Sequence, residues 1–153
     1  MAIEIGDKVP EILGTDQDGK EIKMSDYKGK KVALYFYPKD NTTGCTQEAC
    51  SLRDGYSELK KAGYEIIGVS KDSAKSHSGF IEKYNLPFNL IVDTNSSLQK
   101  QFGVWGEKKM YGKPYMGTLR TTFIIDENGV VTNIISPKEI DTKDHANQIL
   151  SLK

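Results

Sequence analysis

In 153 residues the chain has only two cysteines, two histidines and one tryptophan. A metal site would have to draw on Cys45, Cys50 and one of the histidines, and neither histidine stands at ligand spacing from them. His77 lies in the polar segment Lys75-Ser-His77-Ser, which reads as a solvated face. His145 lies on the terminal helix beside Asp144. Neither sign of charge is in excess: 21 Lys and Arg balance 21 Asp and Glu, for a formal net charge of zero. A nucleic-acid partner, which calls for a basic face, is not expected. The charges are interspersed, as on a solvated surface. No run approaches the roughly 18 apolar residues of a membrane span, so no membrane association is expected. Residues Met1 to Asp7 place acids where a signal peptide needs an apolar stretch, and retention in the cytoplasm is the expectation. A cysteine pair in that reducing compartment is more often catalytic than structural. A phosphate loop, a Ser-His-Asp order and a dinucleotide fingerprint are also missing; Gly103-Val-Trp-Gly106 is too short to count as one. No repeat, linker or composition shift divides the chain, so residues 1–153 read as a single domain long enough to hold a core.

What is present gathers in Tyr35 to Cys50. The apolar run Val32 to Tyr37 reads as a buried β-strand that stops at Pro38. A polar turn, Lys39 to Gly44, leads into a helical pattern with Cys45 in its first turn. A thiol there faces unpaired backbone N–H groups and the positive end of the helix dipole. Both favour the thiolate, the reactive form. Cys45 and Cys50 are five positions apart. On a regular helix that is a rise of roughly 7.5 Å, with Cα atoms about 8.5 to 9 Å apart. A disulfide needs less than about 7 Å. The pair can bond only if the first turns of the helix unwind. The alternative is two unrelated buried cysteines, since a free thiol is often a small core residue.

Pro38, Thr42 and Cys45 match the pattern Pro-x-x-x-Thr-x-x-Cys, and in this the chain resembles the peroxiredoxins. Glu48 and the arginine of Thr118-Leu-Arg120-Thr-Thr-Phe-Ile-Ile-Asp126 match as well. The second cysteine, in Cys-Thr-Gln-Glu-Ala-Cys, is similar to the branch called peroxiredoxin Q or bacterioferritin comigratory protein. The likeness extends through Gly6 to Pro10, Asp18-Gly19, Gly68 to Asp72 and Phe102 to Gly106. It implies a thiol-dependent peroxidase that needs no cofactor, because sulfur carries the electrons. Cys45 would attack a hydroperoxide and become a sulfenic acid. Cys50 would resolve it as an intramolecular disulfide, and an external dithiol, thioredoxin in the family, would reduce that bond. Arg120 keeps its charge and presents rigid donors; it would stabilise the thiolate and polarise the peroxide. Thr42 would hold the peroxide through its hydroxyl, and Pro38, which lacks an N–H, would shield the sulfur. Glu48 shares a helix face with Cys45 and is expected to orient Arg120. The branch implies a monomer.

Three other readings stand beside this one. A thioredoxin-like thiol–disulfide oxidoreductase would use the same fold, but its usual Cys-x-x-Cys spacing is not met and Thr42 would have no task. A copper carrier lacks the ligand spacing. A holdase or interaction protein lacks a marked partner surface.

The rest of the chain alternates strands and helices. Ile12 to Met24 reads as a hairpin around Asp18-Gly19. Thr46 to Lys61 reads as one helix ended by Gly63, with Leu52, Tyr56 and Leu59 on one face. Tyr64 to Ser70 is a strand. Ala74 to Tyr84 is a helix interrupted near Gly79. Asn89 to Val92 is a strand and Ser96 to Phe102 a short helix. Arg120 to Ile125 and Val130 to Ile135 form a hairpin turned at Glu127-Asn128-Gly129. Thr142 to Leu150 is a terminal helix capped by Asp141 or Thr142. This order predicts an α/β protein of thioredoxin-like fold: a mixed central β-sheet flanked by helices, with an N-terminal β-hairpin. Val104 to Thr118 stays unassigned. It reads either as a loop bordering the site, since it leads into Arg120, or as a surface excursion with an aromatic anchor.

Overall fold

The run beginning at Lys31 is apolar on both faces, and a strand of that kind must be covered on both. In the structure, a computed structural model describing residues 2–152 (for Met110, the backbone alone), it forms the middle of the fold. The N-terminal hairpin is β1 (Ile12–Asp16) and β2 (Glu21–Lys23), and the central strand is β3 (Lys31–Phe36). Then come α1 (Thr43–Asp54), α2 (Tyr56–Lys61), β4 (Tyr64–Ser70), α3 (Ala74–Tyr84), β5 (Asn89–Val92) and α4 (Ser97–Gln101). The chain ends with β6 (Trp105–Met110), β7 (Lys113–Thr118), β8 (Thr121–Ile125), β9 (Val131–Ile135) and α5 (His145–Leu150). Seven strands make one mixed sheet in the order β2-β1-β5-β4-β3-β8-β9. β3, β4 and β5 run parallel, and β8 lies antiparallel to β3 on its other side.

The pleat of β3 divides two cores. Ala33, Tyr35 and Tyr37 face the side covered by α1, α2, α3 and α5, where Leu52, Leu59, Phe80 and Ile149 pack. Val32, Leu34 and Phe36 face the other side, with Leu98 of α4, Phe102 and Phe123. This is the thioredoxin-like arrangement the sequence predicts. α1 begins just beyond the C-terminal end of β3, where open α/β sheets place their sites. Among the described residues no helix is long and apolar enough to cross a membrane.

Four elements differ from the expectations. The helix predicted over Thr46 to Lys61 is two helices, starts earlier, and breaks at Gly55. A Cβ at Gly55 would stand 2.5 Å from the Cβ of Ala146, so glycine there lets α5 come close. α3 runs through Gly79 without interruption; that glycine faces open space and nothing opposes the helix. The terminal helix starts at His145, three residues later than predicted, and its N-cap Asp144 makes no side-chain cap bond. The unassigned stretch is an antiparallel ribbon, β6 paired with β7, apart from the main sheet. It turns at Tyr111-Gly112, both at positive φ (53° and 78°), the geometry of a two-residue hairpin turn. Tyrosine is an unusual first residue for such a turn, which is why the sequence pattern does not announce it.

Candidate active site

Backbone chemistry sets the entry to α1. Tyr37 still donates its N–H to Val69 O at 3.0 Å, and Pro38, with no N–H, ends the ladder. The chain then turns. Asp40 donates its N–H to Asp72 Oδ2 at 2.8 Å, and Asn41 takes a left-handed conformation at φ 64°. Thr42 is the N-cap residue; its hydroxyl donates to Lys39 O at 2.9 Å, and its carbonyl accepts from Thr46 N at 2.8 Å. Cys45 is the third residue of the helix, among N–H groups that lack a helical partner. Its side chain is buried, at 1% exposure.

Arg120 enters between β7 and β8 and divides its fork between two groups. Nη2 donates to Cys45 Sγ at 3.2 Å, and Nη1 donates to Glu48 Oε1 at 2.6 Å. Gly44 leaves room for this: a Cβ there would lie 3.3 Å from Nη2. Glu48 is fully buried and Arg120 about one-fifth exposed (20%). Burial pushes the Glu48 carboxyl up to about 7, against the pull of the Arg120 charge and hydrogen bond. For Arg120, burial works against the charged form, but the charges of Glu48 and Cys45 outweigh it and raise its proton affinity. A second cation lies close by. Lys108, on the ribbon, donates to Thr118 O at 3.0 Å. Burial and then the Arg120 charge lower its proton affinity, with Cys45 partly countering.

Arg120, far from Cys45 and Glu48 in the sequence, therefore touches both. Pro38 is half-buried beside this turn, and Thr42 is exposed at the helix start. Cys50 is half-buried further along α1, and both thiols are free.

Sequence reasoning misses two buried histidines. His77, expected on a solvated face, has 0% exposure. Its Nδ1 meets Asp40 Oδ2 at 2.8 Å and its Nε2 meets Ile91 O at 2.9 Å. Both are acceptors, so both ring nitrogens donate and the ring is an imidazolium. Asp40 also accepts from Tyr37 Oη at 2.6 Å and Ser76 Oγ at 2.8 Å. Burial pushes the Asp40 carboxyl up, but bonds from His77 and Tyr37 together outweigh it and hold it below the usual range. Donor atoms of Asp40, Asp72 and His77 converge within 4.8 Å. They are engaged with one another and with Ser70, Ser76 and the Asp40 N–H. His145, at 0% exposure, packs behind Glu48. The spacing His77–Phe80 and His145–Ile149 is that of a buried helix stripe.

Sulfur beside a permanent cation at a helix start has one evident use: it can be anionic when a neutral oxidant arrives. The protein is a thiol-dependent peroxidase built on a thioredoxin-like sheet. It belongs to the AhpC/TSA family, whose profile matches residues 5–134. The chain is 48% identical over 141 residues to a putative peroxiredoxin Bcp of Coxiella burnetii, covering 92% of this chain and 93% of that one. It is 47% identical over 150 residues to peroxiredoxin Bcp of Bacillus subtilis, covering 98% and 94%. Among solved structures it is similar to the bacterioferritin comigratory protein of Xanthomonas campestris, studied for its alkyl peroxide reduction activity. That match has 35% identity, covers 90% of this chain and 86% of that one, and has a TM-score of 0.82.

Proposed function

We propose that Cys45 is the nucleophile and Cys50 the resolving thiol of a peroxidase cycle completed within one chain. The observation that carries this reading is the 3.2 Å contact between Arg120 and the Cys45 sulfur. The thiolate attacks one oxygen of ROOH; an S–O bond forms as O–O breaks, and RO⁻ takes a proton and leaves as water or alcohol. Arg120 and the N–H groups at the start of α1 face the oxygens. Because the Thr42 hydroxyl gives its hydrogen to Lys39 O, its oxygen is free to accept the peroxide O–H. Pro38 shields the sulfur, and Glu48 orients Arg120. The Cys45 sulfenic acid then condenses with the Cys50 thiol and releases water. A helical spacing of roughly 8.5 to 9 Å against a limit near 7 Å requires α1 to unwind for this step. An external dithiol returns both thiols, with thioredoxin the expected donor. The substrates are hydrogen peroxide and organic hydroperoxides, the latter supported by the activity studied in the Xanthomonas relative. The protein works as a single-domain monomer in the cytoplasm and uses no cofactor.

One equivalent of peroxide added to the reduced protein is expected to remove two hydrogens from the intact mass and give a Cys45–Cys50 cross-linked peptide. Cys45→Ser is expected to give no cross-link and no turnover; peroxide consumption at the wild-type rate in that variant would refute the reading. Cys50→Ser stops at the sulfenic acid. With excess peroxide it is expected to accumulate more Cys45 sulfinic acid than wild type, because nothing competes with the second oxidation. Equal sulfinic yields by mass spectrometry would show that unwinding and resolution do not protect the sulfur.

A further inference from the structure

Glu48 has an oxygen that the cycle leaves unused. Oε1 takes the Arg120 bond, but Oε2 is buried without a hydrogen-bond partner. The basic atom facing it is His145 Nε2, 3.6 Å away, and both side chains have 0% exposure. The tautomer of His145 follows from its neighbours. Gln148 Nε2 donates to Glu139 O at 2.7 Å, and Gln148 Oε1 accepts from Asp141 N at 2.8 Å, so Oε1 is the oxygen end of that amide. His145 Nδ1 lies 2.8 Å from Gln148 Oε1 and therefore carries a proton. Nε2 then has a lone pair, 2.8 Å from Thr122 Oγ1 and 3.6 Å from Glu48 Oε2; when it takes up a proton the Thr122 hydroxyl turns and its oxygen accepts instead.

The cluster holds one permanent cation, Arg120, between two groups able to become anions. With one anion it is neutral. With both Cys45 and Glu48 ionised it carries a net buried negative charge, which burial penalises. Thiolate and carboxylate thus compete for a single guanidinium. A proton held between Glu48 Oε2 and His145 Nε2 decides that competition for sulfur.

We propose that His145 is a positioning residue for the reaction: with Glu48 it forms a two-atom proton store that neutralises the carboxylate and leaves the Arg120 charge to the Cys45 thiolate. The inference rests on Cys45 as nucleophile. Its balance is simple: the thiol loses one proton, the Glu48–His145 pair holds one, and no electrons move. The 3.6 Å gap must close to hydrogen-bond distance when the proton is shared.

Other titratable groups around the pair are consistent with this. Arg120 disfavours a charged His145 and Asp141 favours it, while burial lowers its proton affinity most. Tyr35, across on β3, is held neutral by burial and by the charges of Glu48 and Cys45. Lys108 faces Arg120 and Cys45 rather than the pair. A Glu48 carboxyl raised to about 7 is half-protonated in the neutral range, as a proton store must be.

A double-mutant cycle tests the proposal. His145→Asn is expected to lower the thiolate absorbance of reduced protein at neutral pH and to slow its reaction with hydrogen peroxide by about tenfold, the effect of roughly one unit of proton affinity. In a Glu48→Gln background, where no competing anion exists, the same change is expected to alter both by less than about twofold, since the coupled term is gone. Equal losses in both backgrounds would mean a purely structural role and would overturn the proposal; so would an unchanged thiolate absorbance in the single variant. A second measurement does not depend on mutating the histidine. In Cys45→Ser the thiolate is gone, so the side-chain nitrogen resonances of His145 are expected to titrate at lower pH than in the reduced wild type. No movement would overturn the proposal. Failure of the nucleophile assignment itself would be seen separately, as surviving peroxidase activity in Cys45→Ser.

Discussion

Replacing Arg120 with methionine is expected to slow peroxide reduction by about three to four orders of magnitude, combining lost charge stabilisation and a lost donor. The sulfur and the guanidinium are 3.2 Å apart, and the sulfur is buried. The guanidinium is the opposite charge that touches the attacking sulfur, and losing it withdraws that electrostatic stabilisation from the anion. In the proposed cycle the same side chain faces the oxygen on which negative charge develops, and removing one such donor costs about 10²–10³ in rate. Both losses come from one residue, so the expected total exceeds that of a donor alone. Arg120→Lys keeps the charge but cannot span Glu48 and Cys45 with a planar fork; about one to two orders of magnitude are expected to be lost. Stopped-flow rates of reduced protein with hydrogen peroxide, paired with thiolate absorbance, measure both. A loss under tenfold in the methionine variant would show that Arg120 does not act on the sulfur.

Arg120→Met also predicts a change in stability. Glu48 already has a folded-state value raised from 4.5 to about 7. A raised carboxyl contributes stability that is full below 4.5 and is lost as pH rises through its folded value. Without Arg120 the raised value moves higher still, and the loss on alkalinisation extends past neutrality. Unfolding curves of the variant are therefore expected to separate further from wild type as pH is raised.

The central strand was legible because its apolar run is continuous and stops at Pro38. Cys45 was legible because a helix start needs no tertiary information. Glu48 and Arg120 were paired only through a resemblance, since nothing local relates residues on different elements. Other features depend on such cross-chain facts. The helical pattern breaks at Gly55, where Ala146 leaves no room for a side chain, and runs on through Gly79, which faces open space. The ribbon beyond Val104 makes its own sheet, and its turn uses Tyr111 where asparagine is usual. His77 reads as surface because imidazole counts as polar in a periodicity, and nothing local marks His145 as buried. What buries them is a carboxylate for one and a hydroxyl with an amide for the other, partners that lie in space and not in register.

His77→Phe is expected to destabilise the fold by roughly 3–5 kcal/mol, the cost of leaving a buried carboxylate without its cation. Phenylalanine fills much of the volume, so lost packing is a small part. Asp40 would keep the Tyr37 and Ser76 hydroxyls but lose the imidazolium, and Ile91 O would lose its donor. Asp40 lies two residues before Thr42 and tethers the entry to α1 through its own N–H to Asp72. The damage therefore reaches the site, and a slower peroxide reaction is expected along with lower stability. The pH dependence has a definite sign. The Asp40 carboxyl is depressed from 3.8, so the pair contributes stability present above that value and lost as pH falls through the folded one. In the variant Asp40 accepts a proton more readily, and the difference between the two proteins shrinks on acidification. Urea denaturation at pH near 7 and near 3 separates this from a packing defect, which would be the same at both. A loss below about 1 kcal/mol at neutral pH, the range of an exposed ion pair, would mean that His77 is not the charged partner its two acceptors require.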